Sequence, residues 1–148
     1  ELLEQYGYMQ YEISNFAKDG FWSRHNLKYW NDLEYIGCGA AAHSYFQGER
    51  FFHGADLADY IQDPNRREGV TALSVEEQMG EFMMLGLRKT AGVSRSEFFA
   101  RFGILLDDRY KKEIETFTQA GLLESVGDRL RLSQQGVYVS NTVMCEFV

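Results

Sequence analysis

Four glycines divide the second half of the chain and leave it few ways to fold. Gly92, Gly103 and Gly121 each close a stretch whose apolar residues recur at helical spacing, and Gly127-Asp128 separates two short runs. A glycine just past an amphipathic stretch is a helix stop, and a Gly-Asp pair suits a two-residue hairpin turn. Ser74-Val75-Glu76-Glu77 is a capping box, in which Ser74 caps the helix and Glu77 reaches back. Met79, Phe82, Met83, Gly86 and Leu87 then share one face. Ser94 caps a second helix that runs through Phe102. Tyr110, Ile114 and Phe117 mark a third, and Leu122–Val126 pairs with Arg129–Leu132. A final helix begins near Ser133. Three helices followed by a β-hairpin is the winged-helix pattern.

The first half is less regular. Leu2, Leu3 and Tyr6 have helical spacing, and Gly7 suits a stop. With Glu1 in place of a methionine, this reads as the last turns of a helix that began earlier. Tyr11, Ile13 and Phe16 are strand-like, with Glu12 and Ser14 on the other face. Helix, glycine and strand form the closing piece of an αβ unit. The expectation is therefore the C-terminal part of a longer protein, with β/α architecture upstream. Lys18-Asp19-Gly20 is a turn, and residues 23–31 are a short helix capped by Ser23. Ser44–Gln47 and Arg50–His53 read as strands joined at Gly48-Glu49. Asp56–Gln62 is a helix that stops before Pro64, the sole proline, and Asp63–Gly69 is polar.

Charge excludes some functions. The chain carries a net −7, divided as −5 over residues 1–73 and −2 over residues 74–148. An acidic surface repels a phosphate backbone. The third helix sets Asp107, Asp108, Glu113 and Glu115 against Arg109, Lys111 and Lys112, a net −1 that reads a DNA groove poorly. A packing module is favoured over a nucleic-acid reader. No apolar run is long enough to span a bilayer. The two cysteines, Cys38 and Cys145, form no CxxC pair, and a reducing cytoplasm is the expected setting.

Two stretches offer chemistry. In His25-Asn26-Leu27-Lys28-Tyr29-Trp30, a helix puts His25 with Tyr29 and Asn26 with Trp30 on shared faces. An imidazole can ligate haem iron, and aromatic rings can stack on a macrocycle. The plainer alternative packs Tyr29 and Trp30 in the core and satisfies His25 with a carbonyl. Gly37-Cys38-Gly39-Ala40-Ala41-Ala42-His43-Ser44 lets a backbone approach a ligand or another strand. It lacks the dinucleotide fingerprint and P-loop spacing, so close packing is the favoured reading. Cys38 reads as a small buried apolar residue, and His53 is assigned no role.

Tyr11–Ala17 (YEISNFA), Arg24–Trp30 (RHNLKYW), Gly37–Ser44 (GCGAAAHS) and the end LSQQGVYVSNTVMCEF together resemble the oxygen-independent coproporphyrinogen III oxidase-like radical-SAM proteins. The resemblance runs in order across essentially the whole chain. His25, Asn26, Tyr29 and Trp30 form an HNxxYW element similar to the haem-chaperone branch. Lys18-Asp19-Gly20 departs from the family's Lys-Pro-Gly. Cys38, Ala40 and Ala41 depart from its Gly-Leu-Gly-Pro-Gly-Ala-His-Ser, with His43 and Ser44 in register.

What the resemblance implies is an α+β chain. Residues 1–63 would be the end of a partial β/α barrel, with its last strand near Tyr8–Phe16, and the segment after it. Residues 64–73 would be a linker, and 74–148 a winged-helix-like C-terminal domain. The parent would hold a [4Fe–4S] cluster and S-adenosylmethionine on a C-x3-C-x2-C loop, which this sequence lacks, so no redox catalysis is expected of the chain alone. Haem-binding candidates are His25, Asn26, Tyr29 and Trp30, with His25 as the iron ligand. His43, Ser44, Glu12 and Asn15 are secondary ligand-facing candidates. The implied partners are haem or porphyrinogen, the missing N-terminal barrel and a haem-accepting protein met peripherally. The parent's function would be haem binding or trafficking. The alternatives are oxidative decarboxylation of coproporphyrinogen III and a purely structural module.

Overall fold

The computed structural model describes residues 2–148. The start of the expected N-terminal helix at Glu1 lies outside the described residues. The elements in chain order are α1 (Leu2–Gln5), β1 (Met9–Gln10), β2 (Phe16–Ala17), α2 (Arg24–Trp30), β3 (His43–Phe46), β4 (Glu49–Phe52), α3 (Leu57–Gln62) and β5 (Glu68–Ala72). They continue as α4 (Val75–Gly86), β6 (Val93–Ser94), α5 (Arg95–Phe102), α6 (Leu106–Arg109), α7 (Lys111–Gln119), β7 (Leu123–Val126), β8 (Arg129–Leu132), α8 (Gln134–Tyr138) and α9 (Ser140–Cys145). Two compact units result: Leu33–Glu76, and a discontinuous unit joining Glu1–Asp32 to Glu77–Val148.

The discontinuous unit is built on the helical faces visible in the sequence. Met79, Met83 and Leu87 of the α4 stretch are buried with Val93, Phe98, Leu106, Tyr110 and Ile114. Leu123, Leu130 and Leu132 from the β7–β8 hairpin join them, as do Val143, Met144 and Phe147 at the end of the chain. Caps fix the boundaries: the Ser94 hydroxyl accepts the Glu97 N–H at 3.0 Å, and Ser133 accepts the Gly136 N–H at 3.0 Å. Gly103 ends α5 in the left-handed region at φ 70°. The third helix divides into α6 and α7 at Tyr110. A strand not foreseen, β6, pairs antiparallel with β8 and gives the sheet order β6-β8-β7.

The expected strand across Tyr8–Phe16 is replaced by a turn. β1 and β2 pair antiparallel, Met9 with Ala17 and Gln10 with Phe16, and residues 11–15 bend between them. The cause is Glu12, whose Oε1 accepts the Ser14 N–H at 3.0 Å and the Asn15 amide. A side chain that satisfies the backbone two residues on folds it back instead of letting it extend.

In the unit Leu33–Glu76, β3, β4 and β5 form an antiparallel sheet in that order. The β3–β4 turn is Gln47-Gly48, both with positive φ (53° and 75°), one residue earlier than expected. Tyr45 and Phe51 are its buried aromatics. Asp56 caps α3 through its carboxylate. Residues 64–73, expected as a linker, contain β5, which pairs with β4 from Glu49↔Ala72 to Phe52↔Glu68. Polarity suggested a loop there, but an edge strand also tolerates polar and exposed residues.

Candidate haem-facing site

α2 starts where Ser23, in extended backbone, accepts the Asn26 N–H at 3.3 Å. On this helix His25 and Tyr29 stand one turn apart. The Tyr29 hydroxyl lies 3.2 Å from His25 Nε2, and the rings meet edge-on with centroids 5.0 Å apart at 88°. In the neutral imidazole with its hydrogen on Nδ1, the phenol donates to Nε2. His25 is exposed, whereas Asn26, Tyr29 and Trp30 are half-buried. The imidazole is therefore offered outward, with an aromatic hydroxyl fixing its orientation.

Trp30 has a different setting. The Arg88 guanidinium sits 4.4 Å from its ring centroid, and its buried Nε1 has no hydrogen-bond partner. Arg88 in turn reaches Glu12, with Nη2 4.0 Å from Oε2, and the Glu12 side chain is fully buried. Backbone bonds close the same junction: the Ile13 N–H donates to Arg88 O at 3.0 Å and the Thr90 N–H to Tyr11 O at 3.2 Å. Two sequence motifs, YEISNFA and HNxxYW, are thus joined through one arginine two residues past α4.

The far end of α2 is fastened separately. Arg101 Nη1 lies 2.8 Å from the Asp32 carboxylate, whose side chain is 3% exposed. Lys89 Nζ donates to Asn31 Oδ1 at 2.6 Å. Burial pushes the Lys89 amine below its usual range, with Glu97 opposing and Arg129 reinforcing the shift. Arg88, Lys89, Asp32 and Arg101 were not singled out from sequence. The one available signal was the Arg88-Lys89 pair directly after the cation-free α4.

The other candidates fall as follows. Glu12 and Asn15 are brought together, the buried carboxylate turned toward Asn15, Ser14 and Arg88. His43 and Ser44 lie on β3 in the other unit. His43 is exposed, with its ring 5.3 Å from that of Phe52. Ser44 is buried and accepts the Gly37 N–H at 3.0 Å. A Cβ on Gly37 would meet His43 O at 2.3 Å, so the glycine stretch does serve close backbone packing. Cys38 is exposed, contrary to the expectation of a buried residue, because it lies in the loop before β3. His53 is buried, with Nδ1 2.9 Å from Arg66 O and its ring edge-on to Tyr60 at 5.3 Å.

Residues 73–139 match the HemN C-terminal domain. The chain is 38% identical over 151 residues to the heme chaperone HemW of Bacillus subtilis, a match covering 99% of this chain and 40% of that protein. The chain carries a HemN C-terminal domain. HemW of Lactococcus lactis is 33% identical over 150 residues, covering 100% of this chain and 40% of the relative. A mouse relative, the mitochondrial radical S-adenosyl methionine domain-containing protein 1, is 30% identical over 159 residues, covering 97% of this chain and 36% of its own length. The solved coproporphyrinogen III oxidase (HemN) from Escherichia coli, described as a radical SAM enzyme, superposes with TM-score 0.74 at 14% identity. That superposition covers 99% of this chain and 38% of the solved one, and it shows the fold. The chain thus spans about two-fifths of the length of the curated relatives it matches. Among the described residues, no helix is long and apolar enough to cross a membrane.

Proposed function

We propose that this chain is the C-terminal part of a haem-trafficking protein and that the outward face of α2 meets the haem. The observation that carries the reading is the exposed His25 imidazole, oriented by the Tyr29 hydroxyl at 3.2 Å. The relatives named heme chaperone support it from a separate direction. In this reading His25 ligates the iron, exchanging the Tyr29 contact for the metal or using Nδ1. Tyr29 stands beside the macrocycle. Trp30, capped on one face by Arg88, anchors the helix, and the Asn26 N–H is the one that the Ser23 cap receives. His43 and Ser44 are secondary candidates, as are Glu12 and Asn15 through the junction they build under α2.

The cluster and S-adenosylmethionine of a radical-SAM parent do not fit this chain. Three thiolates are needed, and Cys38 and Cys145 are two, on different units. Among the described residues, no group of three His, Cys, Asp or Glu is placed to hold a metal ion. The proposed setting is a reducing cytoplasm, in which both cysteines stay free.

The test is a spectroscopic haem titration of the full-length protein. His25→Ala should abolish the Soret shift, and Tyr29→Phe should only weaken binding, because the ring is kept and the orienting hydroxyl lost. Circular dichroism checks folding. A folded His25→Ala protein with the native spectrum and affinity would remove His25 as the ligand. His43 would then be the next residue to change.

A further inference from the structure

A cleft lies on the other side of α2 from His25. It has a volume of about 360 Å³. That is at the low end for ligand pockets, which run from about 300 to 1,000 Å³, and it admits a ligand of one or two rings. Met9, Tyr11, Trp22 and Leu27 give it apolar walls. Leu27 is two residues from His25, and residues at that spacing on a helix do not face each other. Met9 and Trp22 are 46% and 44% exposed, so the walls are open to an incoming ring.

Most polar groups around the cleft are already committed. The Gln10 amide donates to Ile13 O at 2.9 Å. The Thr90 hydroxyl donates to the Gln10 and Tyr11 carbonyls at 3.3 and 3.2 Å. The Tyr11 hydroxyl accepts the Ser23 N–H at 3.4 Å. Lys89 is the exception. It is half-buried, and its hydrogen bond goes to a neutral amide, Asn31 Oδ1. An ammonium has three N–H groups, and the acid that acts on this one, Glu97, does not overcome the cost of its burial. Burial already disfavours the charged amine of Lys89, and an arriving carboxylate would restore it.

We propose that this cleft binds a small aromatic carboxylate, with its ring against Trp22, Leu27 and Met9 and its carboxylate on the Lys89 ammonium. The charge of the lining selects an anion over an amine, and the apolar walls select a ring over a free inorganic anion. The site is independent of iron ligation by His25.

Two probes of one shape decide the matter: 2-naphthoate, and the uncharged 2-naphthalenemethanol. Each is titrated into the unmodified chain and followed by amide and indole chemical shifts. The naphthoate should bind about tenfold or more tighter, the usual worth of one charge-assisted hydrogen bond. Shifts should centre on Trp22, Leu27, Thr90 and Ala91. Lys89→Met should erase the difference and leave the weak binding of the alcohol. His25→Ala should leave naphthoate binding unchanged, so this site and the haem reading fail separately. Equal affinity of the two probes, no binding of either at millimolar concentration, or shifts centred elsewhere would overturn the proposal. The paired probes decide on the unmodified chain even if Lys89→Met does not fold.

Discussion

Replacing Arg88 by methionine should destabilise the fold far more than a typical surface change. The Glu12 carboxylate is fully buried, and among the described residues its ion-pair partner is Arg88, with N···O at 4.0 Å and an arginine side chain 25% exposed. At that distance two unit charges attract by about 4 kcal/mol at an effective dielectric constant of about 20. The exposed quarter of Arg88 screens part of this. Stacking of the guanidinium on Trp30 at 4.4 Å adds about 1 kcal/mol. Methionine keeps some packing on the indole but leaves a buried carboxylate without a counter-charge, a defect that costs about 3–5 kcal/mol when the pair is fully buried. The expected loss is about 3 kcal/mol, which lowers Tm by about 10 °C in a chain of this size. Urea unfolding of Arg88→Met, Glu12→Gln and the double variant gives the coupling directly. Glu12→Gln removes the charge and keeps Oε1 as an acceptor for Ser14, so the double variant should be more stable than Arg88→Met alone. Strict additivity, or an Arg88→Met protein within about 0.5 kcal/mol of native, which is the range of an unremarkable surface substitution, would refute the reasoning.

Other expectations follow from single contacts. A Cβ on Gly136 would lie 2.1 Å from Leu122 O, which already accepts the Ser133 N–H at 3.0 Å. Gly136→Ala should therefore lower Tm, because overpacking of about 1–3 kcal/mol exceeds the helix-propensity gain of about 1 kcal/mol; an unchanged or raised Tm would count against the close approach. Hydrogen bonds from the Ser94 and then the Ser96 hydroxyl hold the Asp128 carboxyl below the usual carboxylate range. A depressed folded value stabilises above the ordinary aspartate pKa of about 4 and is lost as pH falls through the lowered one. The urea midpoint of Asp128→Asn should accordingly flatten in acid, and a curve parallel to native would sink the assignment. Duplex DNA should show no sequence-selective retention at physiological salt, since α6 and α7 together carry more acid than base; a filter-binding assay that finds selective retention would reverse this.

The features legible in the sequence were the ones set within a few residues. Ser23, Asp56, Ser94 and Ser133 were read as helix starts, and each side chain does accept a backbone N–H. The Gly127-Asp128 hairpin is equally local, with Val126 paired to Arg129. What the sequence did not disclose depends on residues far apart in it. β6 exists because Val93 finds Leu130, and β5 because its polar edge finds β4. Alternation put Glu12 on the strand face opposite Tyr11 and Ile13, whereas it is fully buried beside Arg88. The site shows the same division. The His25–Tyr29 pair follows from helical spacing, while the covering of Trp30 by Arg88 had no local signal.

The junction of residues 11–13 with 88–90 ties the two ends of a discontinuous unit across a whole intervening one. The Thr90 hydroxyl and the Tyr11 carbonyl it meets are 79 positions apart. Contacts of such separation close only after much of the chain has been ordered. In native-state amide exchange, the Ile13 and Thr90 N–H groups, which bond Arg88 O and Tyr11 O, should open together as one cooperative piece despite their distance in sequence. The span 73–139 that matches by similarity accordingly leaves out residues that pack on its core. Cutting there would strip Glu12 and Ile13 from one side of the core and Val143, Met144 and Phe147 from the other.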